Sequence, residues 1–226
     1  PPPHVAWARQ ARESGDAVIT SQNAFAIEER EAREAMALTC GMIAMIDDAV
    51  GRVLEHLQLL GMADDTVVVF TADHGDYLGD HRLLLKGPLP YQGLIRVPMI
   101  WSDTADAARS GTTAQLATTM DLGATVLDRA GLAPFNGFQG KSLLGPCAGA
   151  SEPVHASILI EDEQQRTYMG FEEPVRLRTL VTERWRMTLY HGVEWGELYD
   201  LENDPHEMEN LWDDAGHQAL RAELME

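Results

Sequence analysis

A chain of 226 residues, 45% of them hydrophobic, has enough apolar material for one large domain or two small ones and reads as globular. Its formal net charge of -19 argues against nucleic acid as a partner, because phosphate neutralisation needs clustered Lys and Arg. An anionic substrate stays open, since a bound cation can invert the local field. No apolar run approaches the ~18 residues of a membrane span, so no membrane partner is expected. Cys40 and Cys147 lack the spacing of a metal site or a disulfide framework, which favours a reducing, cytoplasmic setting. The chain opens on Pro1-Pro2-Pro3-His4 rather than on methionine, which reads as the interior of something longer, with any targeting segment upstream.

In chain order, residues 1 to about 26 read as an extended or loosely helical lead-in, the prolines favouring extension. One long helix is expected from about Ile27 to Leu60. Its first turns are charged, and Leu38, Ile43, Ile46, Val50, Val53, Leu54 and Leu57 then recur at helical spacing up to Gly61. A buried strand follows at 66–72, then a glycine-punctuated loop over 73–93 and a second strand from Val97 to Trp101. Thr118 to Ala130 is the next helix, with Leu122, Val126 and Leu127 on one face and Gly131 as its stop. Residues 134–153 read as loop. Strands are expected at 156–161, 177–182, 185–190 and 197–200, the last three as an antiparallel meander, with Trp185, Tyr190, Trp195 and Tyr199 in the small sheet's core. Asn203-Asp204-Pro205 marks a turn and a short helix closes the chain. The pattern gives an α/β part over residues 1–153 and a small α+β part over residues 154–226.

The chemistry concentrates where the apolar run Val67-Val68-Val69-Phe70 stops at Asp73-His74-Gly75. Open α/β sheets keep their ligands just beyond the carboxyl ends of their strands. A carboxylate beside an imidazole at such a rim suits a divalent cation, supplying a hard oxygen and a neutral nitrogen. The pair fits Ca²⁺, Mg²⁺ or Mn²⁺, and Zn²⁺ less well. An ordinary turn after a strand is the plainer reading of the same residues.

Five blocks, in order, then resemble a known family. They are Ile46-Asp47-Asp48-Ala49-Val50-Gly51-Arg52-Val53-Leu54; Phe70 to His81 (FTADHGDYLGDH) with Lys86; Ile95-Arg96-Val97-Pro98-Met99-Ile100; Met120-Asp121-Leu122 through Gly131-Leu132 to Gln139-Gly140-Lys141-Ser142-Leu143-Leu144; and Glu197 to Pro205 with Glu207 and Asn210-Leu211. Over about residues 27–212 the chain resembles the C-terminal half of sulfatases and phosphonate monoester hydrolases of the alkaline phosphatase superfamily. The resemblance implies an alkaline-phosphatase-like mixed sheet flanked by helices, present in part, with a small C-terminal antiparallel sheet and helix.

It also implies a metal-dependent hydrolase of sulfate esters, or of phosphonate or phosphate esters, holding one divalent cation. Asp73 and His74 would be metal ligands, Lys86 the contact to the sulfuryl oxygens, and His81 a donor to the leaving group or a contact to the substrate anion. Gly75 and Gly79 would let the backbone fold tightly around them. The family's nucleophile, a Cys converted to formylglycine or a Ser, lies in a C/S-x-P-x-R motif. Cys40, followed by Gly-Met-Ile, and Cys147, followed by Ala-Gly-Ala, do not fit that motif. The family's Asp-Asp pair on the first strand is also missing, and Asp47-Asp48 lies in a helical pattern instead.

The expectation is therefore a portion of such an enzyme, inactive alone, with formylglycine in the half that is absent. The other reading is a non-catalytic or partner-binding domain of the same fold, for which a second copy of the chain is a candidate partner. Phosphodiesterase or mutase chemistry on this fold needs two metals and further ligands, and the sequence presents no such set. For Lys86 the plain alternative is a solvated lysine, for His81 a structural hydrogen bond. His4 is read as mostly bland, and His155, His191, His206 and His217 as surface or turn residues. Glu161-Asp162-Glu163 is read as a solvated acidic loop.

Overall fold

Glu28 and Gly61 bracket the longest element, helix α2 (Glu29–Leu59). At its start the Glu28 N–H donates to Glu31 Oε2 at 2.8 Å, half of a reciprocal cap. At its end Gly61, with φ +66°, donates to the Gln58 carbonyl, and Met62 to that of Leu57, so the last turn's carbonyls are satisfied by a residue with no Cβ to clash. The computed structural model describes residues 3–16, 24–104, 111–165, 167 and 170–226. They fall in two units: Pro1–Ala105 with Glu163–Val175, and Asp106–Asp162 with Arg176–Glu226.

In the first unit, α1 (Pro3–Ser14) is a helix where the prolines suggested extension. Pro is tolerated in a first helical turn, where its missing N–H is not needed. Val5, Ala8 and Ala11 bury one face, and Arg12 Nη1 donates to the Ala26 carbonyl at 2.9 Å. A two-residue strand β1 (Phe25–Ala26) pairs antiparallel with β3 (Leu83–Leu84). Strand β2 (Val68–Thr71) pairs antiparallel with β4 (Met99–Ser102), Val69 opposite Trp101 and Phe70 opposite Ile100. The expectation of a buried strand at 66–72 is corrected here: Val69 and Phe70 are 38% and 41% exposed. The ladder found for β2 among the described residues is the single pairing with β4, and a two-stranded ribbon cannot bury both of its own faces. Helix α2 is likewise exposed along its apolar residues, with Leu38 and Met45 each 72% accessible. Between β3 and β4 lies the one-turn helix α3 (Gln92–Ile95).

In the second unit, α4 (Thr119–Arg129) ends at Gly131 by the same C-terminal device as α2. At its start Asp121 is fully buried and accepts from three donors: the Thr118 N–H at 2.7 Å, the Lys141 N–H at 2.8 Å and His155 Nε2 at 2.9 Å. His155, read from sequence as a surface or turn residue, is thus a partly buried partner that ties residue 155 to the helix start. A short helix α5 (Leu144–Cys147) interrupts the expected loop. The four-stranded sheet has the order β5 (Ser157–Glu163), β6 (Arg176–Thr182), β7 (Trp185–Tyr190), β8 (Gly196–Asp200), and β6–β7–β8 is the expected antiparallel meander. The acidic run 161–163 belongs to β5, and Glu161 pairs with Arg178 at 2.7 Å. Helix α6 (Gln218–Leu224) closes the chain.

Met187, Leu198 and Trp212 form the apolar core of this sheet, with Trp185 and Leu189 packed against them. Gly196 is in a strand because Trp212 lies over it: a Cβ there would stand 2.5 Å from the indole. Beside this core Arg186, with no exposed side-chain surface, bonds Glu197 at 3.0 Å and Glu207 closely, with its guanidinium 4.7 Å from the Tyr199 ring centre. Glu207 has φ +56°, a conformation a glutamate adopts only when its surroundings hold it. At the end of β8 Asp200 accepts a two-pronged bond from Arg184 (3.0 and 2.7 Å) and one from Asn203 Nδ2 (2.8 Å).

Removing the one cation of the buried ion cluster leaves Glu197 and Glu207 uncompensated, so Arg186→Met is expected to lower stability by about 3–5 kcal/mol, read as a fall in urea midpoint. Arg184 and then Asn203 hold the Asp200 carboxyl below the usual carboxylate range. A depressed folded-state pKa stabilises above the unfolded value of about 4 and loses that stabilisation as pH falls. Asp200→Asn is therefore expected to cost stability at pH 7, and the gap between variant and parent should narrow in urea titrations taken from pH 7 down to pH 3.

Candidate active site

The loop from Ala72 to Arg96 is built on backbone contacts too close for side chains. Gly75 donates its N–H to the Leu94 carbonyl at 2.8 Å, and a Cβ on Gly75 would overlap the Gly93 carbonyl oxygen. A Cβ on Gly93 would in turn stand 2.6 Å from Asp80 Oδ2. Gly79 has φ +108°, open to glycine and strained for other residues. Leu78, His81, Arg82 and Leu85 also have positive φ, so the chain reverses several times within a few residues.

This winding brings three of the four expected site residues together. Asp73 is 86% and His74 39% exposed, and Asp73 Oδ2 is 3.5 Å from His74 Nε2. Asp73 Oδ1 accepts the His74 backbone N–H at 2.9 Å. That bond, then the imidazole and Lys86 nearby, hold the Asp73 carboxyl below its ordinary pKa. His74 Nδ1 lies 2.8 Å from the Gly75 carbonyl oxygen. A carbonyl only accepts, so Nδ1 carries the hydrogen and the lone pair sits on Nε2. Lys86 Nζ donates to that nitrogen at 2.8 Å.

His81 is engaged differently. Its ring stacks on Tyr91 with centroids 3.7 Å apart and planes 18° apart, and Tyr91 meets Tyr77 edge-on at 6.3 Å. His4 has no described side chain. His191 and His206 are exposed, and His217 bonds Asp214 at 2.7 Å.

A ligating histidine commonly donates its other ring N–H to a carbonyl, which fixes the tautomer and aims the lone pair. His74 has that arrangement, and Asp73 adds an ionised oxygen beside it. The two donors fit a divalent cation as part of a ligand set once Lys86 Nζ moves off His74 Nε2, because one lone pair cannot serve both; no group of three His, Cys, Asp or Glu suited to a metal converges among the described residues.

An acid, an imidazole and a lysine gather beyond the end of β2, and the second unit carries a four-stranded sheet. A family model described as Sulfatase matches residues 6–132, and one described as N-sulphoglucosamine sulphohydrolase, C-terminal, matches residues 79–226. The chain belongs to the sulfatase family, within the alkaline phosphatase superfamily. It is 30% identical over 206 residues to the multifunctional alkaline phosphatase superfamily protein PehA of Trinickia caryophylli, covering 86% of this chain and 39% of that protein. Among solved structures it is similar to a 2-O GAG sulfatase, with a TM-score of 0.77, 27% identity, and coverage of 87% of this chain and 42% of the other. It is similar also to the phosphonate monoester hydrolase of Agrobacterium radiobacter, with a TM-score of 0.71, 30% identity, and coverage of 82% and 38%. The fold is therefore the alkaline-phosphatase-like one expected, and the chain spans less than half the length of these relatives.

Asp76, Tyr77 and Tyr91 shape the site and were not singled out from sequence. Asp76 and Tyr77 stood inside the motif itself, but nothing local marks a tyrosine as the centre of a loop. The close glycine contacts make a direct test. Gly75→Ala must push residues 73–76 away from Gly93, at a cost of about 1–3 kcal/mol. The expected readout is a lower urea midpoint together with faster hydrogen exchange at the Gly75 amide.

Proposed function

We propose that this chain supplies the cation ligands and an anion-contacting lysine to a hydrolase of sulfate esters, or of phosphonate or phosphate esters. The single observation that carries the reading is the convergence of the Asp73 carboxylate, His74 Nε2 and Lys86 Nζ at the end of β2. Asp73 and His74 would hold one divalent cation, Ca²⁺, Mg²⁺ or Mn²⁺ before Zn²⁺, which when bound supplies Lewis acidity at an ester oxygen. Lys86 then offers a compact positive charge to an oxygen that gains charge as the ester bond breaks. His81 is a candidate donor to the departing alcohol.

The nucleophile is proposed to come from sequence outside this chain, as formylglycine or Ser, because no C/S-x-P-x-R motif occurs within it. The α/β part, residues 1–153, would carry the site, and residues 154–226 would be the accessory subdomain. No described helix is long and apolar enough to cross a membrane, and a cytoplasmic location remains part of the proposal.

The test is Mn²⁺ binding to the chain, followed by loss of the free-ion electron paramagnetic signal. Asp73→Ala and His74→Ala are each expected to weaken it at least tenfold, about 1.4 kcal/mol or more per lost ligand. The unaltered chain is expected to turn over neither an aryl sulfate nor an aryl phosphonate. Mn²⁺ affinity indifferent to both substitutions, or turnover that vanishes in Asp73→Ala, would overturn the assignment or the incompleteness respectively.

A second reading, a partner-binding domain, is favoured by the apolar residues exposed on α2 and on β2. A persistent dimer in sedimentation that shields residues 66–72 from hydrogen exchange would support it.

A further inference from the structure

Lys86 is an exposed side chain with four rotatable carbons, yet its ammonium stands on one nitrogen of His74. The backbone on both sides of it explains why. Ahead of it, the Leu85 N–H donates to Asp76 Oδ1 at 3.0 Å, and the Leu85 carbonyl accepts the Tyr77 N–H at 2.9 Å. Leu85 itself has φ +68°, a left-handed turn immediately before residue 86. After it, the Tyr77 hydroxyl lies 2.9 Å from the Gly87 carbonyl and 2.9 Å from the Leu89 carbonyl, and accepts the Leu89 N–H at 3.1 Å. Tyr77 is 1% exposed and Leu89 is fully buried, so water does not compete for these bonds. Asp76 Oδ1 also accepts the Leu78 N–H at 2.8 Å, which fixes the carboxylate.

We propose that Asp76 and the Tyr77 hydroxyl are positioning residues that hold Lys86 beside His74, its ammonium on Nε2 in the metal-free chain and turned to the anion of the proposed function when a cation takes that nitrogen. The inference rests on that reading for its catalytic meaning but not for its geometry. Asp76 and Tyr77 follow Asp73-His74-Gly75 directly, so the segment that carries the ligand pair also grips the residues flanking the lysine. The ligand pair and the lysine are thereby one rigid piece rather than two loops that meet by chance. The gain is orientational: a charge displaced by about 1 Å from a reacting centre can lose a hundredfold in rate.

The experiment uses the full chain, isotope-labelled, without metal. It reads the nuclear Overhauser effect between the Lys86 ε-protons and the His74 Hε1 proton. Tyr77→Phe keeps the ring against Tyr91 and removes only the hydroxyl. It is expected to cut that effect about twofold or more, as Lys86 samples further rotamers. Asp76→Ala should do the same, and Asp76→Asn, which retains an acceptor oxygen for Leu78 and Leu85, should restore it. A packing role alone would leave Tyr77→Phe like the parent. If Tyr77→Phe fails to fold, the Asp76 pair carries the test. An unchanged Lys86–His74 effect in Tyr77→Phe, or in Asp76→Ala, overturns the proposal. Mn²⁺ titration of the same samples separates the two claims. Loss of the effect in the variants with no Mn²⁺ broadening at His74 in the parent sinks the hydrolase reading and leaves the positioning intact; broadening with an unchanged effect does the reverse.

Discussion

The path of the first unit's long loop, which carries Asp73, His74 and Lys86, depends on a single phenol. Tyr77 is buried in a loop that has almost no regular structure of its own, and its hydroxyl meets three backbone polar groups from residues 87 and 89. Buried backbone donors and acceptors must find partners, and in a loop without a ladder they must find them in side chains. Tyr77 and Asp76 between them serve that need. The strained φ values at Leu78, His81, Arg82 and Leu85 are tolerated because these bonds determine the path of the chain. What the loop presents outward, Asp73, His74 and Lys86, is orderly because what it holds inward is satisfied.

The second unit solves a related problem with charge. Arg186, Glu197 and Glu207 sit beside an apolar core of Met187, Leu198 and Trp212, and they hold the segment after β8 against the sheet. Asp121 does the same for the start of α4, gathering Thr118, Lys141 and His155 around one carboxylate. In both cases residues far apart in sequence are joined by one buried charged group. Such groups contribute less to net stability than to the choice of one arrangement over others, and here they fix how loop segments attach to regular elements.

Much of this was legible in the chain. The long helix is announced by its periodic apolar residues and by Gly61, and the structure ends it there by the expected left-handed turn. The meander 176–200 follows from alternation and short turns. The loop motif marks Asp73, His74 and Lys86, which the structure brings within contact of one another. Helix α1 was obscured because three prolines outweighed the spacing of Val5, Ala8 and Ala11, whose burial needs a partner surface. The β1–β3 pair is two residues long and exists only because the loop returns to it. Asp121–His155 spans 34 residues, and no local pattern encodes such a meeting. The burial of β2 was misjudged because an apolar run states a preference, while burial also requires covering layers that a run cannot specify.

Helix α2 leaves Leu38, Met42, Met45, Ile46 and Val53 in water on a chain whose formal charge is -19. Two such copies attract through their oily stripes at short range and repel through their carboxylates at long range. The repulsion is the part that electrolyte removes, since its reach contracts from about 30 Å at 0.01 M to about 10 Å at 0.1 M ionic strength. Colloidal behaviour is thus set by the buffer as much as by the fold: dilute buffer keeps the molecules dispersed, and brine lets the greasy flank find company.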